Sequence, residues 1–242
     1  MTVGARIRNE GGSLIQIDPG YENLALRTLG TVVTSQLGPS GRQANCGVAT
    51  IQLAGCNEPL LAVRCTGAHV GLRKRTQVGN SYTWELITNL PVTSVDYWVF
   101  DTTDVAQMAF LMSKGLRIRN PANNRVIFDS RYKYLRILNM IGLQLGTGQQ
   151  AAPVPQADGF AMALSNPSLS TIVAGGPIGG SNDWLYQIIT SLAGFRTGNG
   201  SVSIARIETN FFTNQGVGNP PYPSGTYGSL QARTMSCDVR NY

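Results

Sequence analysis

His69 is the only histidine among the 242 residues, so a Ser-His-Asp or Cys-His system would have to use it. It sits in Ala68-His69-Val70, a strand-like stretch with no nucleophile motif beside it, and reads as a structural side chain. The GxSxG elbow, the GxxxxGK[ST] loop and a strict GxGxxG are all missing from the sequence. Gly146-Thr147-Gly148-Gln149-Gln150-Ala151 meets the looser GxGxxA form, but Pro153 and Pro155 follow where a phosphate-binding helix would run. In Gly175-Gly176-Pro177-Ile178-Gly179-Gly180 the proline deletes an N–H that a phosphate cradle would use. Asp96, Asp101 and Asp104 lie close together without an EF-hand pattern. Cys46, Cys56, Cys65 and Cys237 are 10, 9 and 172 residues apart, not in the close pairs that zinc sites use. The expectation is a chain with no catalytic, cofactor-binding or metal-binding residues, not an enzyme, with free cysteines packed as small hydrophobes.

Composition points to assembly instead. Charged residues are 13 % of the chain, about half the globular norm of roughly 25 %. Lysine occurs only at 74, 114 and 133, against sixteen arginines. Depletion of Lys, Glu and Asp with retention of Arg is the bias of surfaces covered by neighbours. The net charge is +6, with a pI near 9.4. The basic residues are nevertheless scattered, and nucleic-acid binding is not expected. The one dense cluster, Arg73-Lys74-Arg75, reads as a solvated turn or a docking patch for an acidic partner. No apolar run reaches about 18 residues, so no membrane span is expected. The N-terminal residues carry no apolar signal region, which suits synthesis in a reducing cytoplasm.

The elements repeat. Gly4-Ala5-Arg6-Ile7-Arg8-Asn9 returns as Gly115-Leu116-Arg117-Ile118-Arg119-Asn120, and at the same 111-residue offset Asp18 meets Asp129, Tyr21 meets Tyr132 and Leu24 meets Leu135. Gln36-Leu37-Gly38 returns as Gln144-Leu145-Gly146. Alternating patterns predict a hairpin opening each copy, then a strand at 24–34 and 134–145. Further strands are expected at 48–53, 60–65, 68–72, 82–88, 95–100, 160–164, 170–173, 185–192, 202–212 and 230–239. Asn199-Gly200 marks a hairpin turn with positive φ expected at both positions. Asp104 to Lys114 reads as a helix at the join, with a buried strand through Met108 to Met112 as the alternative. The reading is all-β: two tandem, internally duplicated antiparallel β-sandwich modules, 1–113 and 114–242.

Two segments, 146–159 and 214–229, read as long loops. In the second, Pro221, Tyr222, Pro223 and Tyr227 combine stiffness with broad amphipathic rings and form a candidate partner-contact loop. Trp84, Trp98 and Trp184 read as core.

Asn124-Arg125-Val126-Ile127-Phe128-Asp129-Ser130-Arg131-Tyr132-Lys133-Tyr134-Leu135-Arg136 resembles the opening of small β-rich structural proteins encoded among the tail-tip, baseplate and fibre genes of long-tailed, siphovirus-type bacteriophages. Glu58-Pro59-Leu60-Leu61-Ala62-Val63-Arg64 resembles another piece of that module. The first copy departs from it, with Ile17-Asp18-Pro19 in place of Phe-Asp-Ser. The resemblance implies a virion tail protein that docks other tail proteins in a symmetric oligomer, a trimer or hexamer. A host-surface adhesin gripping a glycan or pilus receptor and a capsid decoration protein stand as alternatives.

Overall fold

The computed structural model of the chain describes residues 5–8, 14–17, 23–39, 41–106, 114–144, 148–164, 169–177, 183–217, 225–227, 231–240 and 242. They form an all-β protein with a single helical turn, α1 (Gly41–Ala44). The strands of the first half are β1 (Ala5–Arg8), β2 (Leu14–Ile17), β3 (Ala25–Val33), β4 (Ser35–Gln36), β5 (Gly47–Leu53), β6 (Leu60–Arg64), β7 (Val70–Val78), β8 (Ser81–Thr88) and β9 (Ser94–Asp101). Those of the second are β10 (Arg117–Arg119), β11 (Val126–Asp129), β12 (Arg136–Gln144), β13 (Gln150–Pro153), β14 (Phe160–Leu164), β15 (Leu169–Pro177), β16 (Asp183–Gly198), β17 (Ser201–Val217), β18 (Gly225–Tyr227) and β19 (Gln231–Asp238).

β1 with β2, and β10 with β11, are the two expected hairpins. The remaining strands build two large antiparallel sheets. One runs β12-β19-β14-β6-β9-β3, the other β13-β17-β16-β7-β8-β5-β4. Both orders put second-half strands on one side and first-half strands on the other. The segments 1–113 and 114–242 therefore share both sheets, joined where β6 pairs with β14 and where Phe195 of β16 meets Val70 of β7. Gly71 permits the second join: a Cβ there would lie 2.5 Å from the carbonyl oxygen of Ala193.

The six-stranded sheet reads alike from both edges. Ala25 opposes Asp101 and Leu26 opposes Phe100, one residue of β3 is skipped, and Thr28 opposes Val99. On the other side Arg136 opposes Asp238, Ile137 opposes Cys237, one residue of β12 is skipped, and Asn139 opposes Ser236. The same β-bulge thus sits at the same place in each edge strand. Bulges bend strands. Beyond these two, the segments converge until Ala25 bridges Tyr134, with Leu26 N donating to Lys133 O (2.7 Å) and Leu135 N to Leu24 O (2.8 Å).

The principal core lies between the sheets, where alternation sends Leu61, Val63, Phe160 and Met162 inward to meet Trp84, Leu86, Val202 and Ile204. Each large side chain so buried stabilises the fold by about 1.5–3 kcal/mol. A smaller cluster, Leu26, Ala62, Trp98, Phe100 and Ala161 with Leu24 and Leu135 packed against it, fills the other face of the six-stranded sheet under the converging edges.

Several expectations change. Residues 103–105 form a turn, and the rest of the helix expected at 104–114 lies largely outside the described residues. The 146–159 loop contains β13, which pairs with β17 despite its Ala/Pro/Gln composition. The 214–229 loop contains the end of β17 and all of β18. Gly200 takes a positive φ of 65°, but Asn199 does not. Among the tryptophans, Trp84 and Trp98 are buried as expected.

Candidate partner-contact surfaces

Arg73, Lys74 and Arg75 are not in a turn. They lie on β7, exposed, at a bulge between Leu72 and Lys74. Arg73 Nη1 donates to Glu85 Oε1 at 2.7 Å, and the Arg75 guanidinium stacks 5.2 Å from the Tyr82 ring centroid. The triplet is thus partly neutralised within its own sheet, which weakens it as a patch for an acidic partner. Pro221, Tyr222 and Pro223 lie outside the described residues. Tyr227 is on β18, opposite Thr171 of β15.

Sequence reasoning missed two surfaces. The first is a row crossing all six strands in register: Leu29, Trp98, Ala62, Ala163, Met235 and Met140. Its centre is buried, while its ends, Leu29 and Met140, are 48 % and 72 % exposed. Leu29 and Met140 also stand at corresponding positions, two register steps past the matching bulges. Both belong to strands that have one described lateral partner each over these residues. The signal was present in the 111-residue offset, which aligns Leu29 with Met140.

The second is an arm. β16 runs twelve residues, Asp183 to Gly194, beyond the point where it meets β7, paired with β17 along them, and β15 and β18 extend the sheet beside them. Register sets Val173, Ile188 and Phe212 in one row and Ile172 and Ile189 in another, on opposite faces. Phe212 is 50 % exposed, and Ile188, Ile189 and Ile172 are half-buried. Residues 169–190 and 209–229 carry one charged side chain, Asp183.

Buried polar groups serve the scaffold. His69, packed beside the join, has Nε2 2.9 Å from Ser203 Oγ. Burial, and then the nearby Arg196 charge, lower its pKa to about 4, so it is neutral at pH 7. Asp129 has no exposed side-chain surface; it accepts from Arg131 Nη2 at 2.6 Å and Arg117 Nε at 2.7 Å. These bonds, Arg131's above all, hold its carboxyl well below the usual carboxylate range, so the second hairpin stays pinned to its strand at any mild pH. Burial raises the thiol pKa of all four cysteines, that of Cys237 to about 12, and none is in a disulfide. They are inert packing groups.

A cavity of about 320 Å³ opens where the halves meet, lined by Arg64, Asp96, Asp158, Thr197 and Asn199 among others. Arg64 and Asp96, opposite each other on β6 and β9, satisfy each other on its wall at 2.9 Å. Among the described residues no cluster of three or more His, Cys, Asp or Glu is arranged to hold a metal ion, and no helix is long and apolar enough to cross a membrane. No family model, no curated protein and no solved structure matches the chain.

Proposed function

We propose that the chain is a non-enzymatic structural subunit of a bacteriophage virion tail, at the tail tip or baseplate, and that it consists of two copies of one β-module fused about a pseudo-twofold axis. The observation that carries this reading is the pair of matched edge strands. β3 and β12 have the same register against their neighbours, the same bulge, and an exposed apolar residue at the same step. One polypeptide thereby offers two alike docking edges, which suits repeated contact with other tail proteins in a symmetric ring. The axis of the fused pair would pass between Ala62 and Ala163, which oppose each other at the centre of the row.

The phage assignment rests on the resemblance of residues 124–136 and 58–64 to tail-tip and baseplate proteins. The low charge content and the apolar row support a surface meant to be covered. The test is a virion carrying Leu29→Glu with Met140→Glu. Tails are expected to fail at assembly, and mass spectrometry of wild-type virions to contain the chain. Virions without the chain would overturn the reading. Mutant virions that assemble but no longer adsorb would favour a host-surface adhesin instead.

A further inference from the structure

We infer that the arm is a self-association element, in which the outer edge of β17 pairs antiparallel with the same edge of a second copy. The inference rests on the reading of the chain as an assembly subunit and names one of its partners.

β13 pairs with β17 only from Ser201 to Ile204. Beyond the shift in pairing near Thr209, residues 210–217, Asn-Phe-Phe-Thr-Asn-Gln-Gly-Val, have β16 on one side, and no described strand pairs with their other edge. Natural proteins guard such edges with lysines, prolines or inward-pointing charges. This one carries none of them.

Three observations select a second copy as the occupant. First, an antiparallel edge is self-complementary about a twofold: residue i meets j, and j meets i. A charge at the twofold would face its own copy, and elsewhere would need an opposite charge across the seam; 210–217 bear none, so no register is penalised. Second, the whole chain carries +6, so copies repel through most of their surface. The arm is a long stretch with a single charge, and that charge is an acid. Third, the molecule already joins β6 to β14 edge to edge in this antiparallel manner. The row Val173, Ile188 and Phe212 would then continue into the neighbour's equivalent row and cover its exposed end.

The experiment is light scattering on the purified full chain up to about 100 μM, with Phe212→Lys as the variant and Val92→Lys, at an exposed apolar position outside both surfaces, as the control. Wild type and control are expected at twice the 26.0 kDa chain mass, and Phe212→Lys at 26.0 kDa with an unchanged circular dichroism spectrum. A wild type that stays at 26.0 kDa overturns the proposal, as does a dimer that survives Phe212→Lys. Should the variant unfold, hydrogen exchange on the wild type decides. Concentration-dependent protection centred on 210–217 supports the arm contact, and protection elsewhere overturns it. Neither result bears on whether virions contain the chain, so the two readings fail separately.

Discussion

The first half and the second half differ less in their frame than in what hangs from it. β3, β6 and β9 occupy one side of the six-stranded sheet as β12, β14 and β19 occupy the other, with the same bulge in each edge strand. The second half alone carries the arm. The first half alone carries the basic triplet on β7 and the buried histidine beside the join. The shared frame carries most of the core. The two sides can differ in this way because strand pairing and the inner rows constrain the frame, whereas insertions at a rim cost little.

The sharpest way to break this comparison is at the join. If the halves were independent, a charge in one would unfold only that one. Ala62 and Ala163 are almost fully buried against each other's strands, and Ala62→Arg leaves a charge without a partner. A loss of more than about 4 kcal/mol is expected, enough to abolish folding of the whole chain. Wild type should melt in a single transition in urea, seen identically by Trp84 in the first half and by amide exchange across β12–β19. Two separated transitions would show the halves to be autonomous.

A smaller effect separates corresponding positions. Phe100 and Cys237 hold the same register place in the two halves, and both are wholly buried. Phe100→Ala should cost about 3–5 kcal/mol and Cys237→Ala about 1 kcal/mol, because the cavity left scales with the side chain removed. Equal costs in chemical denaturation would mean that the two sides of the sheet are packed more alike than the side chains imply.

The smallest expected effect is in pH. The folded chain holds His69 neutral down to about 4, whereas the unfolded chain protonates it near its ordinary 6.5. Between these values the unfolded state binds more protons, so stability falls as the pH drops from 6.5 towards 4, by about 1 kcal/mol once solvent screening is allowed for. Urea midpoints at pH 7 and pH 4.5 measure this slope, and His69→Gln should flatten it. A slope that persists in the variant would locate the titrating group elsewhere.

Much of the frame was legible in the sequence because alternation is a local signal. The stretch 160–164 was read at its observed bounds, and the 111-residue offset anticipated both the hairpins and the matched positions of β3 and β12. β13 was not legible, since Gln-Ala-Ala-Pro has no strand character of its own and is held by its pairing with β17. Nor was the sharing of sheets, since no local pattern records that Ala62 will lie opposite Ala163. The basic triplet was visible as a cluster, but its placement on a strand, with Arg73 and Arg75 engaged by Glu85 and Tyr82, depends on a neighbouring strand twelve or fewer residues away. The arm's lack of charge was plain in the composition; that it forms an arm depends on β15 and β18 returning to the same sheet.

The join also dictates a timetable for synthesis. β6 and β7 find their inner partners only when β14 and β16 have been made, about 100 residues later, a delay of roughly 5–20 s at ribosomal speed. Throughout that interval the nascent amino-terminal half exposes raw strand borders beside other emerging chains. Crowded polysomes would then favour mispairing between sibling polypeptides, and slow elongation would aggravate it, unless a chaperone shields those borders until the carboxy-terminal strands arrive.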